Sequence, residues 1–97
     1  MKFLVHIEFC PEDTDKVIAK MIKNAEIRAK DPDYYPKHVI PTQYTGNGKG
    51  FAVVEVTDPK QLARGFVMGM PEITWKYEAC DDFSKWVEAY QESKKNT

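Results

Sequence analysis

The sequence is poor in cysteine and has no long apolar run. Its 97 residues include only two cysteines, Cys10 and Cys80, which are too few for a disulfide framework and too far apart for a zinc-binding spacing. We expect two free thiols that pack as small hydrophobic side chains. No apolar stretch approaches the roughly 20 residues of a membrane-spanning helix, and no hydrophobic leader follows Met1. These absences argue against a disulfide-rich secreted domain and a membrane protein, and they predict a cytoplasmic one.

An excess of one charge is also absent. The 14 basic and 15 acidic residues give a net charge of -1, so no global field attracts nucleic acid or an anionic membrane. With 42% hydrophobic and 30% charged residues, the composition is that of an ordinary globular protein. The chain has no repeat and no linker. We therefore predict one domain over residues 1–92, followed by a polar C-terminal tail over residues 93–97.

Apolar periodicity defines the elements of the first half of the chain. Phe3, Val5, Ile7 and Phe9 alternate along a strand and share one face. The helix that follows begins near Pro11, and its spacing predicts one buried face: Val17, Ile18, Met21, Ile22, Ala25 and Ala29. Its basic side chains predict a solvated face: Lys16, Lys20, Lys23 and Arg28. Tyr34 and Tyr35 lie in the next loop, where we expect them to be exposed, with a lid over a cavity as the alternative.

The second half of the chain begins with a predicted β-hairpin. Asn47-Gly48 favours a two-residue type I′ turn, which would place Tyr44 opposite Phe51 and Thr42 opposite Val53. Asp58-Pro59 then predicts a helix start with a buried stripe at Leu62, Phe66 and Val67. A fourth strand, "EITWKYEAC", precedes a final helix with Phe83, Trp86, Val87 and Tyr90 on one face. The order β-α-β-β-α-β predicts an α+β, ferredoxin-like fold: a four-stranded antiparallel sheet, helices on one face and an extra C-terminal helix.

The helices of such a fold cover only one face of the sheet. The predicted residues of the other face are Leu4, His6, Glu8, Ile40, Thr42, Tyr44, Phe51, Val53, Glu55, Thr74, Lys76 and Glu78. We expect His6 near Lys76 and Val53, and Glu8 near Thr74 and Phe51. This face is too apolar to leave in water, yet too charged for an ordinary core, because buried carboxylates need partners. Something therefore covers it, with water or a ligand inside.

The whole chain resembles the dimeric α/β-barrel group, in which two such sheets pack face to face around a cavity. The start "MKFLVHIEF", the segment "GKGFAVVEVTDPKQLARGF" and "EITWKYEAC" followed by "DDF" are similar to a small bacterial and archaeal family, domain of unknown function 3303. The resemblance covers residues 1 to about 90. It implies the ferredoxin-like fold and a homodimer, and it assigns no catalytic residue.

We therefore predict a homodimer, formed through the open sheet face, that binds a small molecule between the two sheets near His6 and Glu8. The predicted ligand-binding residues are His6, Glu8, Thr42, Tyr44, Phe51, Val53, Glu55, Lys76 and Glu78. No cofactor is predicted; a divalent metal on His6 and Glu8 is the alternative, since imidazole and carboxylate together suit zinc, iron or manganese.

Two other functions stay open at this point. In the first, the protein is an enzyme like the small monooxygenases and isomerases of the barrel group, with His6 as general base, because histidine titrates near neutrality. In the second, "KGFAVVEV" resembles the third-strand motif of RNA-recognition domains, and Phe51 would stack on a base. Val53 replaces the second stacking aromatic, and Glu8, Glu55 and Glu78 would repel phosphates. Nucleic acid is therefore the less favoured partner.

Overall fold

The computed structural model describes residues 1–96. Its strands are β1 (Lys2–Glu8), β2 (Lys37–Gly46), β3 (Lys49–Glu55) and β4 (Thr74–Cys80), and its helices are α1 (Thr14–Lys30), α2 (Pro59–Gly69) and α3 (Phe83–Lys95). A short 3-10 turn, Pro11–Asp13, precedes α1. Residues 93–95 of the predicted tail continue α3, and Thr97 lies outside the described residues.

The four strands form one antiparallel sheet in the order β2-β3-β1-β4. This confirms the predicted α+β, ferredoxin-like fold, with the first strand between the third and the fourth. The pairing of β1 with β4 has the predicted register: His6 lies opposite Lys76, and Glu8 opposite Thr74. The pairing of β1 with β3 differs by two residues, because His6 lies opposite Phe51 and Glu8 opposite Lys49.

The core lies between the sheet and the helices. Every second residue of the strands contributes to it, as the period of two predicts: Val5, Ile7, Ala52, Val54, Val56 and Ile73 are buried, and Phe3, Trp75 and Tyr77 pack against them. Trp75 is therefore a core residue, as its place in the alternation predicts. Cys10 and Cys80 are both free thiols, as predicted, but Cys10 is exposed and does not pack as a small hydrophobic side chain, whereas Cys80 is half-buried.

The buried face of α1 is rotated from the predicted one. Val17, Met21, Asn24 and Arg28, spaced four, three and four residues apart, form the inward stripe, while Ile18 and Ile22 are exposed. The prediction that Arg28 is solvated was wrong. Asn24 holds it by accepting a hydrogen bond of 2.7 Å from Arg28 Nε, so a polar pair occupies the stripe that apolarity alone would assign to isoleucine and alanine.

The start of α2 is as predicted, whereas its buried face is not. Asp58 Oδ1 accepts from the Lys60 amide at 3.0 Å, and Pro59 is the first helical residue. The buried positions are Gln61, Gly65 and Gly69 rather than Phe66 and Val67, which are exposed. Small residues on this side let the backbone of α2 approach the sheet closely.

The β2–β3 hairpin has the predicted turn and a different register. Asn47 and Gly48 have positive φ angles of 53° and 72°, as a type I′ turn requires. Beyond the turn, β2 contains irregularities at three points, so Gln43 lies opposite Phe51, Tyr44 opposite Gly50 and Ile40 opposite Val53. An extra residue moves every following side chain to the other face of a strand. Pro41, which lacks an amide hydrogen, lies within one of these irregular stretches.

Helix α3 makes no packing contact with another element within residues 1–96. Its N-terminal end is held near β1 by an ion pair of 3.0 Å between Lys2 and Asp82. Its predicted apolar face exists, and it is uncovered: Phe83 is 79% exposed and Trp86 is 64% exposed. None of the described helices combines the length and apolarity that crossing a membrane would require.

Candidate functional site

A charged cluster lies on the open face of the sheet, where β1 and β4 pair. His6 faces outward because it alternates with buried Val5 and Ile7 along β1. Its Nε2 lies 3.1 Å from Glu78 Oε1, and the carboxylate accepts the hydrogen bond. The same carboxylate oxygen is 3.7 Å from Lys76 Nζ. The imidazole is therefore oriented by a carboxylate that a neighbouring cation also balances.

Glu8 lies two residues further along the same face, between Thr74 and Lys49. No ion pair or side-chain hydrogen bond involves its carboxylate within residues 1–96. The site forms a depression of about 340 Å3, lined by His6, Ile7, Glu8, Lys49, Gly50, Thr74 and Lys76. One carboxylate, Glu8, and three basic side chains thus surround one concave surface, which suits a polar molecule with both donor and acceptor groups.

Apolar side chains adjoin this cluster on the same face. Phe51 lies opposite His6, Val53 lies opposite both Leu4 and Ile40, and Leu4 lies opposite Glu78. These four side chains have no helix above them, and Ile40 is 42% exposed. The open face is consequently an apolar strip beside a polar depression.

Two residues predicted for this site lie on the other face of the sheet, and a third lies at the far end of the open face. Tyr44 and Thr42 belong to the helix face, because the irregularities in β2 turn them over. Tyr44 packs edge-on against Phe9, with ring centroids 6.0 Å apart, and its burial raises its pKa. Glu55 lies on the open face but opposite Lys2 and Lys37, about 13 Å along β3 from Phe51. The remaining predicted residues, His6, Glu8, Phe51, Val53, Lys76 and Glu78, share one surface.

Within residues 1–96, no three side chains of histidine, cysteine, aspartate or glutamate gather as a metal ion would require. His6 and Glu8 are two positions apart on a strand, and Glu78 rather than Glu8 contacts the imidazole. A divalent metal at His6 and Glu8 would need further ligands from a second chain.

A family model described as Domain of unknown function (DUF3303) matches residues 1–94. The chain belongs to this family. No curated protein matches it, and no solved structure does.

Between the sheet and the helices of this DUF3303 protein lies a second group of polar side chains, which the sequence pattern does not predict as a site. Arg28, His38, Asn24 and Tyr35 surround a cavity under the helices together with Thr42. Tyr35 is buried, against the prediction of an exposed loop residue. The sequence does contain a signal for Asn24 and Arg28, because both continue the helical spacing that begins at Val17. This spacing predicts their inward position if polar residues are allowed on the buried face.

Proposed function

We propose that this protein is a homodimer, formed through the open sheet faces, that binds a small polar molecule between them at His6 and Glu8. The observation that carries the proposal is the composition of the open face. An apolar strip adjoins a depression with charged walls, and no element of the described chain covers either of them.

The apolar strip favours a protein partner. Leu4, Ile40, Phe51 and Val53 form a continuous surface across three strands, and exposed apolar patches of this kind commonly mark interaction sites. A second copy suits the strip because an isologous contact places the same apolar residues of both chains against each other. Burying them removes apolar area from water, which is the main driving force of association.

Helix α3 leaves a second uncovered apolar surface, formed by Phe83, Trp86, Val87 and Tyr90. It follows directly after edge strand β4, so it begins at the border of the open face. A partner chain seated on the open face would therefore lie within reach of α3. Because α3 starts three residues after the end of β4, one interface with a second copy could cover both surfaces.

The depression favours a ligand inside such a dimer. Covering the face would bury the Glu8 carboxylate, and an unpaired buried carboxylate is strongly unfavourable. Lys76 and Glu78 balance each other at 3.7 Å, whereas Glu8 has no such ion pair within residues 1–96. A polar molecule or water must therefore donate to Glu8, and His6, held by Glu78, offers a second recognition group.

The proposal is tested by the amide variants of the two site residues. His6→Gln and Glu8→Gln keep the size of the side chains while removing the imidazole or the charge. Light scattering should show that both variants keep twice the 11.2 kDa mass of the chain. Mass spectrometry of small molecules released from the wild-type protein by denaturation should detect a compound that both variants lack. Glu12→Gln, on the exposed turn before α1, is the matched control and should retain it.

Two other outcomes would contradict the proposal. If the wild-type protein and both site variants release the same compounds in the same amounts, no ligand depends on His6 or Glu8. If His6→Gln instead lowers the free energy of unfolding by about 1–2 kcal/mol, the scale of a lost buried hydrogen bond, and changes nothing else, the residue has only a packing role.

A second candidate function is catalysis with His6 as general base. The observation that favours it is the hydrogen bond of 3.1 Å between His6 and Glu78, because a carboxylate commonly orients a catalytic imidazole. The two functions differ in one measurable respect. A catalytic His6 predicts that His6→Gln releases the unconverted substrate in place of the compound found with the wild-type protein, whereas a recognition role predicts that it releases neither.

A further inference from the structure

A small cavity lies on the opposite face of the sheet from the His6 depression, between β1, β3 and the two covering helices. Its volume is about 40 Å3, which is room for about three or four water-sized groups. Most of its wall is apolar, and Val5, Ile7, Ala52, Val54 and Met68 contribute to it. Its polar lining comes from α1 and from edge strand β2. His38 lines the cavity from this edge and is itself exposed to solvent.

Arg28 is the cation of this cavity, and its position is fixed. Its Nε donates to Asn24 Oδ1 at 2.7 Å, and its Nη1 donates to the Pro36 carbonyl. The guanidinium carbon lies 5.3 Å from the centre of the Tyr35 ring. A guanidinium has five N–H groups, and no protein acceptor for the other three is found within residues 1–96. The planar guanidinium is therefore held in place while three of its N–H groups are free to donate to a ligand.

No negative charge balances Arg28 within the described part of the chain. Its guanidinium forms no ion pair with an aspartate or glutamate of residues 1–96. Burial raises the pKa of Tyr77 to about 12 and also raises the pKa of Tyr35, so both neighbouring phenols stay neutral at physiological pH. Burial lowers the pKa of Arg28 itself, which is the expected result of desolvating a cation without a counter-charge.

We propose that this cavity binds a short-chain carboxylate, whose carboxyl group pairs with the free donors of Arg28 and whose alkyl part contacts the apolar wall. The planar fork of arginine matches a carboxylate in two parallel hydrogen bonds. One cation in an apolar cavity favours a monoanion, because a dianion would leave one negative charge buried without a partner. The volume restricts the alkyl part to one or two carbons, as in acetate and propionate.

The proposal is tested by titrating the full chain with sodium acetate and sodium propionate while recording the indole N–H signals by NMR. The sequence has two tryptophans: Trp75 lines the cavity, whereas Trp86 lies on α3 and serves as an internal reference. We expect a saturable shift of the Trp75 signal in the wild-type protein, no change at Trp86, and no saturable shift with sodium chloride at equal ionic strength.

Two variants and one matched control complete the test. Arg28→Met removes the charge and should weaken acetate binding by about tenfold to a hundredfold, the usual range for a hydrogen bond to a charged group. Ala52→Val leaves Arg28 intact and fills the cavity, so it should also weaken binding and keeps the proposal testable if Arg28→Met does not fold. Lys16→Met removes one exposed positive charge from the same helix and should bind as the wild-type protein does.

Three results would overturn the proposal. The first is the absence of a saturable Trp75 shift in the wild-type protein. The second is unchanged acetate binding in Ala52→Val or in folded Arg28→Met. The third is an equal, saturable response to chloride, which would show that the cavity does not recognise a carboxylate.

Discussion

The two histidines of the chain lie on opposite faces of one sheet, and their neighbours give them different environments. His6 is on the open face beside the Glu78 carboxylate, at 3.1 Å. His38 lies on the helix face of edge strand β2, where it lines the cavity that contains Arg28. Partial desolvation of its ring and, second, the positive charge of Arg28 lower the pKa of His38 below its ordinary value of 6.5. The two histidines therefore differ in their nearest charged neighbour, a carboxylate for His6 and a guanidinium for His38.

At the scale of this residue we predict a pH dependence of stability. Because the folded protein lowers the pKa of His38, the unfolded chain binds more protons just below pH 6.5. The contribution to stability is thus present above that pH and is lost as the pH falls through the folded-state pKa. Urea denaturation at a series of pH values should show that the free energy of unfolding decreases as the pH falls below 6.5. His38→Asn should flatten the curve, whereas an identical slope in the variant would show that His38 does not contribute.

At the scale of the elements, the contact between α2 and β4 depends on the absence of a side chain at Gly69. A Cβ atom at this position would lie 2.2 Å from Trp75 Nε1 and 3.0 Å from Ile73 Cβ. Helix periodicity predicts α2 but not this contact, because the apolar residues Phe66 and Val67 dominate the pattern while the glycines face the sheet. The close approach of Gly69 to the Trp75 ring, together with the packing of Leu62 against the core, accounts for how α2 is rotated.

This contact yields a prediction with a built-in control. Gly69→Ala should lower the free energy of unfolding by about 1–3 kcal/mol, the range for overpacking a core, because the added methyl group overlaps Trp75 Nε1 and both the indole and Ile73 must shift. Gly65→Ala, one turn earlier, meets only the Tyr77 hydroxyl at 3.2 Å. The higher helix propensity of alanine, worth up to about 1 kcal/mol, should offset the cost of this contact, so the free energy of unfolding should be nearly unchanged. Thermal or urea denaturation of both variants measures the difference, and equal losses would contradict the assigned rotation of α2.

At the scale of the whole molecule, the open face and α3 are both uncovered, and the proposed dimer accounts for both. Val53 lies at the centre of the apolar strip, opposite Leu4 and Ile40. Val53→Asp should produce a monomer in light scattering, because the dimer would bury a carboxylate without a partner. Val67→Asp, the same substitution at an exposed position of α2, should remain dimeric.

Circular dichroism should show that both variants are folded, so that a change in mass reports dimerisation and not unfolding. A wild-type protein that is monomeric at micromolar concentration would remove the dimer. A monomer would instead favour RNA as the partner of Phe51, although the carboxylates of Glu8 and Glu78 on the same face repel phosphates.

Local patterns in the sequence were sufficient for the elements and their order. The alternation from Phe3 to Phe9, the Asn47-Gly48 turn and the Asp58-Pro59 helix start each depend on neighbouring residues only. Backbone preferences and the periods of strand and helix therefore predict them correctly. The same alternation placed His6, Glu8, Lys76 and Glu78 on one face, because a regular strand fixes the side of every residue.

Only the tertiary structure decided where that regularity fails and which polar groups meet. The irregularities in β2 moved Thr42 and Tyr44 to the helix face, since a bulge depends on pairing with a strand that is distant in sequence or joined by a turn. The inward positions of Arg28 and Gly69 depend on contacts with Pro36 and Trp75, which no helical period contains. Periodicity ranks residues by apolarity, whereas packing selects by shape and by available hydrogen-bond partners, and at these positions the two criteria disagree.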